Sequence, residues 1–174
     1  MTLLDRVADR LSRQGIAHAL IGAAALAAHG VSRSTLDHDV LVTDLRVLDD
    51  RFWSDMRLGA SVDVRRGDID DPLAGVVRVT SPSERDVDVI VGREPWQAEI
   101  LTRAQPIGDG PLAVVERADL VLLKLYAGGS QDRWDIEQLL SLDERDALMR
   151  DVDARLHSLP RAARDVWDQV CGEH

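Results

Sequence analysis

Two aspartates, Asp37 and Asp39, stand two residues apart in the run Asp37-His38-Asp39-Val40-Leu41-Val42, and a third acid, Asp88, interrupts the apolar run Val87-Asp88-Val89-Ile90-Val91. In an extended strand residues i and i+2 share a face, with Cα atoms roughly 6.6 Å apart, so both carboxylates of the first pair lean onto one site. On a helix they would point to nearly opposite sides. The β-branched residues that follow Asp39 favour the strand. Two carboxylates on one face repel and raise each other's pKa unless a cation lies between them. Magnesium suits that place, being a hard ion that takes one or two carboxylates and leaves room for phosphate oxygens. The plain alternative for an isolated D-x-D is two solvated aspartates at a strand edge. Asp88 strengthens the chemical reading, because a carboxylate inside an apolar strand needs a partner. If its strand lies beside the first, Asp88 completes a two-metal site of the kind in which ions ~3.5–4 Å apart bracket an in-line displacement. Asp86 shares the face of Asp88, and spacing leaves the choice between them open. Facing water on a one-sided antiparallel sheet is the simpler account of either acid.

Two further positions carry chemical potential. Gly22, at the junction of a short apolar stretch and an alanine-rich one, suits a strand-to-helix turn whose free N–H groups favour phosphate, although a tight turn alone also explains a glycine. The neighbour is Ala23, which brings no hydroxyl. Lys124 sits in Leu120-Val121-Leu122-Leu123-Lys124-Leu125-Tyr126, and of 21 lysines and arginines it alone is lysine. A helix apolar nearly all round is a buried one, so this lysine must snorkel to solvent, pair with an acid or serve a site. Asp132 and Asp135 follow at a spacing that fits a capping box for a helix from Trp134 to Leu140, and Asp132 is also placed to hold Lys124. His29, His38, His157 and His174 show no metal-ligand spacing.

The elements that position these groups are legible as periodicities. Thr2 caps an amphipathic helix with Leu3, Leu4, Val7 and Leu11 on one stripe, ending near Gly15. Ile16 to Ile21 reads as a buried strand, Gly22 to His29 as a helix closed by Gly30, and residues 37–42 as the acid-bearing strand. Leu45, Leu48, Phe52 and Met56, at spacings of three and four, predict a helix from about Asp44 to Arg57. Ser61 to Arg65 alternates as a strand, Arg66 to Gly75 is a polar loop, and Val76 to Thr80 and Arg85 to Val91 are strands joined by Ser81-Pro82-Ser83. Pro95 opens a helix, Leu112 to Val115 is a last strand, and the chain is helical from Arg117. Those helices end near Ala127, cover Arg133 to Leu140 and about Asp143 to His157, and resume after Pro160.

A chain of 174 residues with 45% apolar and 30% charged residues is sized for one globular domain. The expected division is a core over about 1–116 and a helical part over about 117–174. The longest apolar run, Ala17 to Ala28, is too short to span a bilayer, and Asp5, Arg6, Asp9 and Arg10 break any secretory pattern, so a cytoplasmic location is expected, with no membrane partner. One cysteine, Cys171, excludes an internal disulfide and a cysteine metal cluster. The net charge of -10 argues against a protein whose whole surface grips nucleic acid, and no DNA partner is expected, while Arg65, Arg66 and Arg78 would make a local basic strip.

Taken in order, these residues resemble the minimal members of the polymerase-β-like nucleotidyltransferase superfamily, near the AbiEii-type toxins and stand-alone nucleotidyltransferases. The first motif of that family reads here as Gly22-Ala23, Arg33, Thr35, Asp37 and Asp39. The second reads as Val87-Asp88-Val89, the third as Leu120 to Lys124, and the fourth as Tyr126 through Asp132 and Asp135. The match spans about residues 16 to 140. The resemblance implies an α+β fold, a mixed β-sheet flanked by helices with a helical C-terminal third. It implies two Mg2+ ions on Asp37, Asp39 and Asp88, an NTP substrate, phosphate contacts from Gly22 and Ala23, and Lys124 close to the nucleotide with Asp132. Arg33 and Thr35 would support the nucleotide end. Three positions depart from the family pattern: Ala23 replaces serine or glycine, His38 lies between the aspartates, and Gly129 stands where arginine is frequent. The expected activity is transfer of a nucleoside monophosphate to an acceptor, whether small molecule, protein or RNA. A cognate antitoxin or a homo-oligomer is an expected partner. The rival is a binding module that keeps the fold without turnover, favoured by Ala23 and Gly129. A phosphatase with an aspartyl nucleophile or a manganese sugar transferase fits less well, since Ser32-Arg33-Ser34-Thr35 precedes the first acid instead of an apolar strand.

Overall fold

The computed structural model describes residues 1–35, 37–107 and 112–172. The backbone divides into two compact units, one formed by Met1–Ala24 and Ser34–Val115, the other by Ala25–Arg33 and the chain from Glu116 onward. His174 lies outside the described residues.

The first unit is built on a mixed seven-stranded sheet. Its strands are β1 (Ala19–Ile21), β2 (Asp37–Val42), β3 (Ser61–Arg66), β4 (Leu73–Thr80), β5 (Asp86–Gly92), β6 (Gln105–Pro106) and β7 (Ala113–Val114), in the order β3-β4-β5-β2-β1-β7-β6. β2 and β5 run parallel, as do β1 and β7, and the remaining neighbours are antiparallel. Alternation decides which side of the sheet is dry. Val40 and Val42 of β2, Val77 and Val79 of β4, and Val87, Val89 and Val91 of β5 form one core with Leu3, Val7 and Leu11 of α1 (Leu3–Arg13) and with Trp53. Each of the intervening residues points the other way, which is where the acids fall. The expected helix cap at Thr2 is present: its side chain accepts from the Asp5 N–H while the Asp5 carboxylate accepts from the Thr2 N–H. β1 is shorter than the expected Ile16–Ile21, and α2 (Gly22–Ala28) follows it directly.

The helix expected over Asp44–Arg57 is absent; three short 3-10 turns, Leu45–Leu48, Asp50–Trp53 and Met56–Leu58, take its place. Asp44 and Asp49 are the cause. Their carboxylates accept from the N–H groups of Arg46 and Arg51, and Asp49 is held extended at φ -91° and ψ 125°, so no continuous helix can pass through it. The Trp53 indole then donates to the Val47 carbonyl at 2.7 Å, satisfying an acceptor that the helix would have used. α3 (Pro95–Arg103) begins at its proline as expected, with the Gln97 side chain accepting from the Glu94 N–H.

The second unit contains α4 (Arg117–Ala127), α5 (Ser130–Leu140), α6 (Arg145–Arg155) and α7 (Arg161–Gly172). α4 packs against the other three, burying Leu120, Val121, Leu122 and Leu125 with Ile136, Leu139, Val152 and Trp167. Gly128, at φ 70°, closes α4 in the left-handed conformation that favours glycine. α5 starts one turn earlier than the expected Arg133, because Gly129 serves as its cap and accepts Asp132 as the third helical residue. The expected Asp132/Asp135 capping box is thereby corrected: Asp132 Oδ2 accepts from the Gly129 N–H at 3.1 Å, while Asp135 lies mid-helix and fully buried. Cys171 is a free thiol. No helix among the described residues is long and apolar enough to cross a membrane.

Candidate active site

The register of β2 against β5 assembles the acids. Asp37 stands opposite Asp86 and Asp39 opposite Asp88 on parallel neighbours, so all four carboxylates project from the face of the sheet turned away from the valine core. Asp86 and Asp88 both belong to this row, and their positions do not choose between them. On the far side of β5, Arg78 of β4 is in register with Asp88. Its guanidinium forks onto that carboxylate, with Nε to Oδ1 and Nη2 to Oδ2 both at 2.9 Å, and the same Nη2 lies 3.6 Å from Asp37 Oδ2. Pairing with Asp88 raises the pKa of Arg78 further above its ordinary value. Arg78 thus bridges the two acid strands. Among the described residues, no three acid, histidine or cysteine side chains are grouped as a metal-ligand set. Both Asp88 oxygens are engaged by Arg78.

The β1–α2 turn meets this row from its other side. Gly22 adopts φ 59°, and a Cβ there would run into Asp39 Oδ2, so only glycine lets the Asp39 carboxylate lie against the turn. Ala23 is buried. Thr35 donates its hydroxyl to Asp37 Oδ1 at 2.6 Å, which fixes the orientation of the first acid of the pair. His38 points to the opposite face from Asp37 and Asp39. Its Nδ1 is buried with no hydrogen-bond partner among the described residues. Burial lowers its pKa, Arg85 lowers it further, and Asp37 opposes both.

In the helical unit Lys124 is neither snorkelling nor free. Its ammonium lies 2.8 Å from Asp132 Oδ1 and 2.7 Å from Asp135 Oδ2, and Arg33 Nη1 reaches the same Asp135 oxygen at 3.0 Å. The one lysine and the one fully buried acid of α5 are therefore each other's counter-ions. Arg33, Lys124, Asp132 and Asp135 come together in this unit, while Gly22, Ala23, Thr35, Asp37, Asp39 and Asp88 come together in the first.

Beside Asp88 a groove of about 430 Å3 opens, lined by Arg65, Arg66, Gly75 and Arg78. The basic strip expected from these arginines is real as a lining. The expectation missed that Arg78 is bound to the acid row. A lone arginine between Val77 and Val79, on a strand otherwise apolar, was the available signal, but its partner depends on strand register, which local sequence does not carry.

The chemistry of this donor set fits a divalent cation. Carboxylates are the ligands that magnesium prefers, a cationic group already bridges them, and the glycine cradle leaves Asp39 room. The solved structures that match nearly the whole chain include the following two. One is the antibiotic-resistance factor ANT(2'')-Ia, with TM-score 0.57, 12% identity, and coverage of 99% of this chain and 96% of that one. The other is an antigenic nucleotidyltransferase-like protein from Paracoccidioides brasiliensis, with TM-score 0.51, 12% identity, and coverage of 97% and 85%. No protein-family model and no curated protein sequence matches the chain. At this identity the likeness concerns architecture, and the architecture is the nucleotidyltransferase fold.

Proposed function

We propose that the chain is a Mg2+-dependent nucleotidyltransferase that moves a nucleoside monophosphate from an NTP to an acceptor, near the AbiEii-type toxins in kind, with a cognate antitoxin or a second copy of the chain as its partner. The observation that carries the reading is the register of Asp37 and Asp39 against Asp86 and Asp88 on one face of parallel β2 and β5, with Gly22 open against Asp39. Asp37, Asp39 and Asp88 would hold two Mg2+ ions. Such ions supply charge neutralisation at the phosphates and a lowered pKa at the attacking hydroxyl. The protein's own part is positional. Thr35 keeps Asp37 turned to the row, and Gly22 removes the side chain that would displace Asp39. The Gly22-Ala23 turn would receive phosphate oxygens on its backbone N–H groups. Arg33, Lys124 and Asp132 are assigned to nucleotide binding by the same reading.

A second reading, a module that retains the fold without turnover, is favoured by Ala23 and by the hold of Arg78 on Asp88. Transfer of label from an α-labelled NTP separates the two. The enzyme reading expects magnesium-dependent transfer that falls by at least about 10²-fold in Asp37→Ala and in Asp39→Ala, the scale on which loss of a charge-stabilising group acts. Equal transfer in both variants would end it.

A further inference from the structure

Arg78 belongs to none of the motifs that define the site, yet it is paired with two acids of the row. Its fork occupies both oxygens of Asp88, a side chain only 14% exposed, and it reaches Asp37 across the row. A bidentate guanidinium–carboxylate pair is among the stronger hydrogen-bonded ion pairs, and here it neutralises charge where four carboxylates line one face of two strands. A divalent ion recruiting Asp88 must take that carboxylate from Arg78. The side chain of Arg78 is itself 45% exposed and borders the groove beside Asp88, so it has open space into which to withdraw. Its backbone is pinned in mid-strand between the buried Val77 and Val79, so the exchange requires only side-chain rotation.

We propose that Arg78 is a positioning residue of this site, an exchangeable counter-cation that keeps Asp88 and Asp37 facing one another and gives way when a divalent ion takes Asp88. This rests on the reading of the acid row as a metal and nucleotide site and adds a residue to it. The two forms of the site differ in which cation Asp88 serves, so the guanidinium and the divalent ion compete. Affinity for the ion is set partly by the strength of the Arg78–Asp88 pair.

The test is Mn2+ binding to the full chain without nucleotide, followed by calorimetry in the wild-type protein, Arg78→Gln, Arg78→Lys and Asp88→Asn. Removing the competitor should tighten Mn2+ binding in Arg78→Gln by roughly three- to tenfold, the range expected for loss of a charge-assisted pair at a partly exposed site. Arg78→Lys, which keeps the charge without the fork, should fall between, and it serves in place of Arg78→Gln if that variant does not fold. Asp88→Asn should weaken binding. The advantage of Arg78→Gln should shrink as ionic strength rises, because the competing pair is itself screened. Equal or weaker Mn2+ binding in both Arg78 variants, with binding by the wild type intact, would overturn the exchange and leave the metal site standing. No Mn2+ binding by any of the proteins would overturn both.

Discussion

At the scale of single residues, each unit holds one close fit. Gly22 is required twice over, by its φ of 59° and by the Asp39 carboxylate that fills the place of a Cβ. Gly22→Ala should therefore cost more than about 1 kcal/mol in urea unfolding, through left-handed strain alone, and should also weaken Mn2+ binding as Asp39 is pushed aside. A variant with wild-type stability and unchanged Mn2+ affinity would contradict the cradle. The second fit is the buried charge cluster of the helical unit. Asp135 is 0% exposed and is held by both Lys124 and Arg33, so Asp135→Ala leaves two cations without their shared partner. Asp135→Ala should cost roughly 3 kcal/mol, the scale of breaking a buried pair. Lys124→Met should cost clearly less, because Asp135 keeps Arg33 and the part-exposed Asp132 keeps water. Chemical unfolding of the two variants reads this order directly, and the reverse order would show that Lys124 is the main support of Asp135.

At the scale of elements, β2 was legible, β1 and β4 differ from the expected bounds, β6 was not foreseen, and the segment after β2 was misread. β2 appears with the expected bounds, because a two-residue period and β-branched residues are local properties that the sheet merely completes. The same holds for α1, whose stripe and capping box lie within one stretch. Residues 44–58 show a helical spacing of apolar side chains that is equally served by successive 3-10 turns, and the deciding signal was the pair of aspartates at 44 and 49 acting as caps. The indole of Trp53 locks that arrangement onto the Val47 carbonyl. Trp53→Phe should destabilise the protein by about 1–2 kcal/mol in thermal or urea unfolding, since it leaves a buried carbonyl without its donor and removes ring volume. A change within measurement error would show that the indole bond is replaced by water. The partner of Arg78 was beyond reach for a different reason. It is a property of how β4 is registered on β5, set across the Ser81–Arg85 connection and by the packing of valines on the opposite face.

At the scale of the whole molecule, charge is concentrated where the fold can use it. A chain of net charge -10 sets four carboxylates on one face of two adjacent strands with Arg78 beside them, while the acids of the helical unit are matched by Lys124, Arg33 and Arg155. Such a row is favourable only with added positive charge, and this makes the first unit the place where a divalent ion should bind. The nucleotidyltransferase fold is common to chains of only 12% identity, so the architecture alone does not define what this chain does. The most direct measurement is paramagnetic broadening of backbone amide signals on titration with Mn2+, which locates the ion independently of any acceptor. The account predicts that signals of Gly22, residues 37–39 and residues 86–88 vanish first, and that Asp39→Asn abolishes the effect. Broadening centred on Asp68–Asp71 or on the helical unit, with β2 and β5 untouched, would contradict it.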